Sequence, residues 1–348
     1  MRRYGMELNR ASRSVIQDAL GIREGETLVI TADSISDEIV AESLAEECHS
    51  VGGKPLIVWM RTPRGAAMAA DQDLPGDALI GLLMEADAWV EINVRYLNYS
   101  HIFREAMRRN DRLRFYCLPG ITVDVLMRCF AGLDFQLLAE FLDRVVELTR
   151  GAERVRMRTE AGHDVQFVND PDHPYVNAAG YARTPGSHMF PGQISWTPKL
   201  GSVNGTVVFD GSVVPEYGLV REPVSLTIEA DCVVAINGGP DAMWLQRWLT
   251  SWNDDGMFRL AHTSYGFHPR AELTGQLGED ERIWGCTQWG LGAIGKILLP
   301  PDGVTAASHI DGICLNTSTW LDERPLTDAG IVVDERVKGL AARLLTSS

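Results

Sequence analysis

A histidine and an aspartate lie two residues apart in the otherwise apolar stretch AASHIDGICL, residues 306–315. Because side chains of a β-strand alternate between its two faces, His309 and Asp311 would project side by side if this stretch is a strand. Two interpretations are open. Either Asp311 orients His309 within a buried hydrogen-bond network, or both side chains bind a metal ion. The spacing alone does not decide between these two roles.

Two further histidines could complete a metal site, because His262 and His268 both lie in LAHTSYGFHPRAEL, residues 260–273. Two imidazoles and a carboxylate leave coordination positions open on an ion. This arrangement suits non-haem Fe(II), which binds substrate and O₂ together. Zinc or manganese carrying a water molecule would use similar ligands for hydrolysis. His268 precedes a proline and therefore favours extended or turn backbone, but spacing does not choose between the two histidines.

The first 150 residues alternate between strand and helix patterns. The strand-like runs are TLVITAD (27–33), KPLIVWM (54–60), DAWVEINV (87–94) and RLRFYCL (112–118). We expect Ser36 to cap the helix after the first run and Gly151 to end a long helix over 134–151. The alternation predicts a doubly wound parallel sheet covered by helices, a Rossmann-like α/β domain over residues 1–150. This domain contains neither GxGxxG nor GKS/GKT, so the sequence does not support nucleotide binding.

Residues 151–348 have a different pattern. Short strand-like runs alternate with Gly, Pro, Asp and Asn, and one helix is predicted over 240–252. The pattern predicts a mainly β C-terminal domain, and this domain contains the candidate metal ligands.

The composition excludes several classes of protein. The chain has 348 residues, long enough for two domains, and its formal net charge of −15 without a Lys/Arg cluster argues against nucleic-acid and membrane binding. Its six cysteines form no CxxC pair. We therefore expect a reduced, cytoplasmic protein without a signal peptide or membrane span.

Five segments together resemble the 2,5-dihydroxypyridine 5,6-dioxygenases, which share a superfamily with the aminopeptidase T/aminopeptidase S metallopeptidases. The segments are FPGQISWTP (190–198), NGTVVFDGSV (204–213), INGGPDAMWLQRWL (236–249), AHTSYGFHPRAEL (261–273) and SHIDGICLNTSTWLDE (308–323). The resemblance implies one Fe(II) per chain, held by two histidines and an aspartate. His262 occupies the histidine position of an HxxxGxxPRA-like motif, and His309 and Asp311 form the HxD motif.

The resemblance implies an extradiol-type dioxygenase that cleaves a dihydroxylated N-heteroaromatic ring with O₂, a reaction of aromatic-compound degradation. One alternative is a one-metal (Mn, Zn or Fe) hydrolase of an aromatic amine, similar to a nitroanthranilate aminohydrolase. A two-metal aminopeptidase is a further alternative. Against it, Gln193 stands where the peptidases have a glutamate, and the histidine expected within 285–292 is missing. A homo-oligomer is expected from the resemblance only.

The remaining site residues are expected to handle protons and bind the substrate. His188 and His268 are the candidate acid/base residues, because a base that works near neutral pH is commonly a histidine. The expected substrate contacts are Asn98, Gln193, Tyr265 and Arg270. Asn98 falls near a position where the dioxygenases have a histidine, so the pocket is not a copy of theirs. Tyr265 could instead be a packed aromatic, and Arg270 could pair with a protein carboxylate.

Overall fold

The computed structural model describes residues 5–346, which form mixed α/β structure. The helices are α1 (Gly5–Arg13), α2 (Glu38–Ser50), α3 (Gly76–Leu83), α4 (His101–Arg109), α5 (Val123–Phe130), α6 (Phe135–Arg150), α7 (Pro240–Ser251), α8 (Leu277–Asp280) and α9 (Lys338–Thr346). Strands β1–β10 are Thr27–Asp33, Lys54–Met60, Ala88–Glu91, Arg114–Cys117, Arg154–Arg158, Asp164–Val168, Tyr175–Ala178, Gly186–Met189, Gln193–Trp196 and Asn204–Phe209. Strands β11–β20 are Ser212–Val214, Gly218–Leu219, Val224–Glu229, Cys232–Asn237, Leu260–Gly266, Thr287–Ile294, Val304–Cys314, Ser318–Leu321, Arg324–Asp328 and Ile331–Val332. None of the helices within residues 5–346 combines the length and hydropathy needed to cross a bilayer.

The first compact unit, residues 5–135 and 178–191, contains the parallel sheet. Its strand order is β2-β1-β3-β4-β8, and every neighbouring pair is parallel. The chain builds outward from β1 in both directions, which confirms the predicted doubly wound arrangement. Strands β3 and β4 are buried along their whole length, as expected for a sheet covered on both faces. The predicted cap at Ser36 is wrong, since the carboxylate of Asp37 accepts the N–H of Ile39 at the start of α2.

The second compact unit, residues 136–177 and 192–346, contains two antiparallel sheets. The eight-stranded sheet has the order β14-β13-β10-β6-β5-β18-β19-β20, and the seven-stranded sheet has the order β12-β11-β17-β16-β15-β9-β7. They pack face to face, because Phe167 on β6 meets Trp289 on β16 edge-on at 5.6 Å and Thr263 on β15 contacts Met157 on β5. A mainly β unit was predicted for this part of the chain.

The two units differ from the predicted domains 1–150 and 151–348 in two segments. Helix α6 belongs to the second unit, where Phe141 stacks on Trp284 with ring centroids 5.4 Å apart. Strand β8 belongs to the first unit, because it pairs parallel with β4 at the sheet edge. The chain therefore passes between the units more than once, which a single boundary at residue 150 does not describe.

Each unit contains a buried asparagine that satisfies the last carbonyls of a helix. The Nδ2 of Asn110 donates to the carbonyls of Leu83 and Ala86, both at 2.8 Å, after α3. The Nδ2 of Asn169 donates to the carbonyls of Thr149 and Ala152 after α6, at 2.8 and 3.0 Å. Carbonyls at a helix C-terminus have no partner within the helix, so these amides supply what the helix lacks.

Replacing this amide in the first unit should destabilise the fold. Asn110→Ala removes the side-chain donor that serves the carbonyls of Leu83 and Ala86, and we expect the free energy of unfolding to fall by about 1–3 kcal/mol. Urea unfolding followed by circular dichroism measures the change. The control is Asn237→Ala, at an exposed position. Equal unfolding midpoints for the two variants would contradict this role of Asn110.

Candidate metal centre

Three adjacent strands of the seven-stranded sheet bring the predicted ligands together. His262 on β15 pairs with Gly290 on β16, and Gly290 pairs with Asp311 on β17, so the three residues form one row across the sheet. His309 lies two residues before Asp311 on the same strand, opposite Gly292. Side chains at both positions project to one face, as the alternation in the sequence predicted.

The ligand atoms are close enough to share one ion. The Nε2 of His309 is 3.1 Å from Oδ1 of Asp311, and the Nε2 of His262 is 3.6 Å from the same oxygen. The two imidazole rings stack nearly parallel with centroids 5.1 Å apart. Ligand atoms bound about 2.1 Å from one ion at right angles lie about 3 Å apart, so the observed spacing fits a single metal. Across residues 5–346, these three residues are the group whose donor atoms converge in this way.

Gly290 makes room for both imidazoles. A Cβ atom at this position would lie 2.5 Å from Cε1 and Nδ1 of His262 and 2.7 Å from Cε1 of His309. Real Cβ atoms are not found so close to other heavy atoms, and both neighbours are ring atoms that cannot bend away. Glycine within a strand often marks such a close approach.

The hydrogen bond on the far side of His309 determines which nitrogen faces the site. Its Nδ1 lies 2.9 Å from the carbonyl oxygen of Ala293, which can only accept, so Nδ1 carries a proton. In the neutral ring, Nε2 then has no proton, and its lone pair is directed at the carboxylate oxygen of Asp311, 3.1 Å away. Two acceptors at this distance repel each other unless a cation, either a proton or a metal ion, lies between them. A backbone carbonyl that orients a histidine in this way is typical of metal ligands.

The pKa values agree with a site that attracts a cation. Burial alone would lower the pKa of His309, but the charge and hydrogen bond of Asp311 outweigh it and raise that pKa above its ordinary value. Burial opposes the charged form of Asp311 too, yet His309, His262 and a hydrogen bond from Gln288 lower its pKa to about 2. Burial lowers the pKa of His262 to about 4, so this imidazole is neutral and able to bind a metal at neutral pH.

A buried polar cluster adjoins Asp311, and sequence reasoning found only one of its members. Gln193 on β9 donates to Oε1 of Gln288 at 2.6 Å and to Oε2 of Glu281 at 3.3 Å, while Arg282 forms an ion pair with Glu281. The strand sequence TQWGLGAI (287–294) could have identified Gln288 as a site residue, because Gln288 lies on the same face of the strand as Gly290 and Gly292. Glu281 lies outside the strands and carried no such pattern.

Three other predicted site residues lie in the same unit but outside the cluster of ligands. His268 is fully buried, and its Nδ1 accepts the backbone N–H of Arg270 at 3.1 Å. Tyr265 is buried on β15 and packs against Trp196, with centroids 4.7 Å apart. It lies three residues from His262 and so on the opposite face of the strand. The acid/base role of His268 and the substrate contacts of Tyr265 and Arg270 stay predictions.

Two predicted site residues lie in the first unit. Asn98 is buried after β3, where its backbone N–H donates to Glu91 at 3.3 Å and its Nδ2 contacts Sδ of Met189 at 3.7 Å. His188 lies on β8, and its Nε2 is 2.8 Å from the carbonyl of Thr184. Burial lowers the pKa of His188, which leaves it neutral at neutral pH. Their roles in proton transfer and substrate binding stay predictions.

Filling the space at Gly290 should weaken metal binding. In Gly290→Ala the methyl group would push His262 and His309 apart, and we expect metal affinity to fall at least about tenfold, because ligand placement sets affinity. Metal content after anaerobic reconstitution with Fe(II) measures this loss. Gly295→Ala is the matched control, since a Cβ there meets its nearest atom at 3.9 Å. Full metal occupancy in Gly290→Ala would contradict the arrangement.

Comparisons with known proteins agree with this geometry. The profile of the NicX family, 2,5-dihydroxypyridine 5,6-dioxygenase, matches residues 10–334. The 2,5-dihydroxypyridine 5,6-dioxygenase of Pseudomonas putida KT2440 is 28% identical over 197 residues, which are 53% of this chain and 56% of that protein. The chain thus matches only about half the length of this relative.

Two solved structures share the fold. The 2,5-dihydroxypyridine dioxygenase of Pseudomonas putida KT2440 superposes with a TM-score of 0.77 at 21% identity, covering 95% of this chain and 98% of that chain. Wild-type AmpT from Thermus thermophilus gives 0.68 at 14% identity, covering 95% and 100%. The family profile covers nearly the whole chain, and the resemblance inferred from the sequence is confirmed. This chain belongs to the 2,5-dihydroxypyridine 5,6-dioxygenase family.

Proposed function

We propose that the protein is a mononuclear non-haem Fe(II) dioxygenase that cleaves the ring of 2,5-dihydroxypyridine or a close dihydroxylated N-heteroaromatic. One observation carries the proposal: Nε2 of His309 and Nε2 of His262 converge on Oδ1 of Asp311 at 3.1 and 3.6 Å. Two imidazoles and one carboxylate form the donor set that leaves open positions for substrate and O₂. Family membership and the dioxygenase activity named for the Pseudomonas putida relative support the same reaction.

His262, His309 and Asp311 would hold the ion. Bound Fe(II) supplies a Lewis acid and a place where O₂ and an electron-rich ring can meet. Asp311 offsets part of the charge of the ion, and the Ala293 carbonyl fixes the ring of His309. Strand backbone on both sides keeps these side chains from reorienting, which holds the ligands in place before the substrate binds.

Proton transfer is the second task of the site. A phenolic substrate loses a proton as it binds, and this proton needs an acceptor. We propose His188 and His268 as the acid/base residues. The Nε2 of His188 donates to the carbonyl of Thr184, so Nδ1 of its neutral ring carries the lone pair that can accept the proton. The Nδ1 of His268 accepts a backbone N–H, so its neutral ring carries a proton on Nε2 and can donate one. Asn98, Gln193 and Arg270 are proposed to orient the substrate, whereas Tyr265, on the opposite face of β15 from His262 and packed against Trp196, fits the alternative of a packed aromatic.

A one-metal hydrolase would use the same three ligands with Mn or Zn. A two-metal aminopeptidase would need more negatively charged ligands than this site contains. Neutral Gln193 contacts Gln288 and Glu281, and Glu281 is paired with Arg282, whereas a second divalent ion would need unpaired anionic ligands. The consumption of O₂ separates the dioxygenase from the hydrolase.

The test is O₂ uptake by protein purified anaerobically and loaded with Fe(II). With 2,5-dihydroxypyridine as substrate we expect one O₂ consumed per ring opened, measured with an oxygen electrode and by loss of the aromatic absorbance. Turnover under anaerobic conditions with Mn or Zn would contradict the dioxygenase and favour the aminohydrolase.

Removal of any one ligand should remove both the metal and the activity. For His262→Ala, His309→Ala and Asp311→Ala we expect at least about a hundredfold loss of ring cleavage, because an ion with two protein ligands is not retained. Iron content and O₂ uptake are measured on each variant. His268→Ala is the comparison: it should keep the metal while losing rate. Full iron occupancy in His262→Ala would show that another residue is the third ligand.

A further inference from the structure

The amide of Gln288 lies between two buried carboxylates. Its Nε2 donates to Oε1 of Glu281 at 3.1 Å. Gln288 also lies beside Asp311 on the same face of the sheet, because it stands two residues before Gly290, which pairs with Asp311. Its Oε1 accepts from Nε2 of Gln193 at 2.6 Å. Gln288, Gln193 and Glu281 are all buried. The Gln288 amide is therefore held at both its nitrogen and its oxygen.

These partners determine the orientation of the amide. An amide nitrogen donates and an amide oxygen accepts, so the NH₂ group of Gln288 faces Oε1 of Glu281 and its oxygen faces Nε2 of Gln193. A rotated amide would place its oxygen against a carboxylate in a buried setting, which is strongly unfavourable. Along β16, Gln288 and the partner of His309, Gly292, lie on opposite sides of Gly290, the partner of Asp311.

The charges around the neutral amide of Gln288 bear on how many metal ions can bind beside it. Glu281 forms an ion pair with Arg282, whose side chain is 2% exposed, so an internal guanidinium balances the charge of Glu281. Asp311 then supplies the uncompensated negative charge that faces His262 and His309. A second divalent ion next to Asp311 would meet the neutral amide of Gln288 and the ion pair of Glu281 with Arg282, whose opposite charges offset each other.

We propose that Gln288 is a positioning residue: it fixes the carboxylate of Asp311 for one metal ion, and with Arg282 it keeps a second divalent ion out. The proposal rests on the proposed function only in taking His262, His309 and Asp311 as metal ligands. Partners that orient a metal ligand in this way commonly change metal affinity by about 10–100-fold when removed.

The test titrates Co(II), a spectroscopic probe that needs neither O₂ nor substrate, into the full-length apoprotein. The wild type should bind one Co(II) per chain. Gln288→Leu keeps the approximate size but loses both donors, and we expect about 10–100-fold weaker binding with a shifted d–d absorption spectrum. Gln288→Glu adds an anionic ligand between the two carboxylates, and we expect a second Co(II) to bind.

Gln246→Glu, at an exposed position of α7, adds the same charge away from the site and should leave one Co(II) bound with unchanged affinity. Circular dichroism of each apoprotein checks folding, and if Gln288→Leu does not fold, Gln288→Glu carries the test. Wild-type Co(II) affinity and spectrum in Gln288→Leu, or one ion bound with wild-type affinity in Gln288→Glu, would overturn the proposal. Failure of the wild type to bind Co(II) would instead overturn the metal site itself.

Discussion

The candidate centre depends on two acceptors that face each other at 3.1 Å. The Ala293 carbonyl keeps a proton on Nδ1 of His309, which leaves the Nε2 lone pair of the neutral ring directed at the carboxylate of Asp311. This contact is favourable only when a cation lies between the two atoms. A proton between the two atoms would meet this need, and the charge and hydrogen bond of Asp311 accordingly raise the pKa of His309 although burial of the ring opposes it. A divalent ion would replace that proton and also reach His262.

The two imidazole rings can approach each other because one residue of the strand between them has no side chain. The strand β16 runs between the two strands that carry the ligands, and glycine at 290 lets their rings approach over its backbone. The opposite face of the same strand carries Trp289, which packs against Phe167 of the other sheet. One strand therefore serves both the core and the site, and the alternation of its side chains separates the two tasks.

Much of the fold could be predicted because it depends on local patterns. The strands at 27–33 and 54–60 have the predicted bounds, and the helix at 134–151 begins and ends within one residue of its prediction. The strand at 186–189 was missed as part of the first unit, because its parallel pairing with β4 is a tertiary contact without a local signature.

In the candidate site, too, only the local contacts could be predicted from the sequence. His309 and Asp311 could be placed together from their spacing of two, whereas the choice of His262 over His268 came from the family resemblance. Glu281 and Gln288 come near Asp311 through the register of strands and a connecting segment, and a single sequence does not reveal either contact. The glycines at 290 and 292 were a readable signal of a crowded face, and they would have pointed to Gln288 beside them.

The most direct test of the central claim is anomalous diffraction at the iron edge from crystals grown anaerobically with Fe(II). We expect one anomalous peak per chain, within bonding distance of Nε2 of His262, Nε2 of His309 and the carboxylate of Asp311. A peak bonded to other residues, or a second peak of similar occupancy beside Gln193 and Gln288, would contradict a mononuclear centre built from these three side chains.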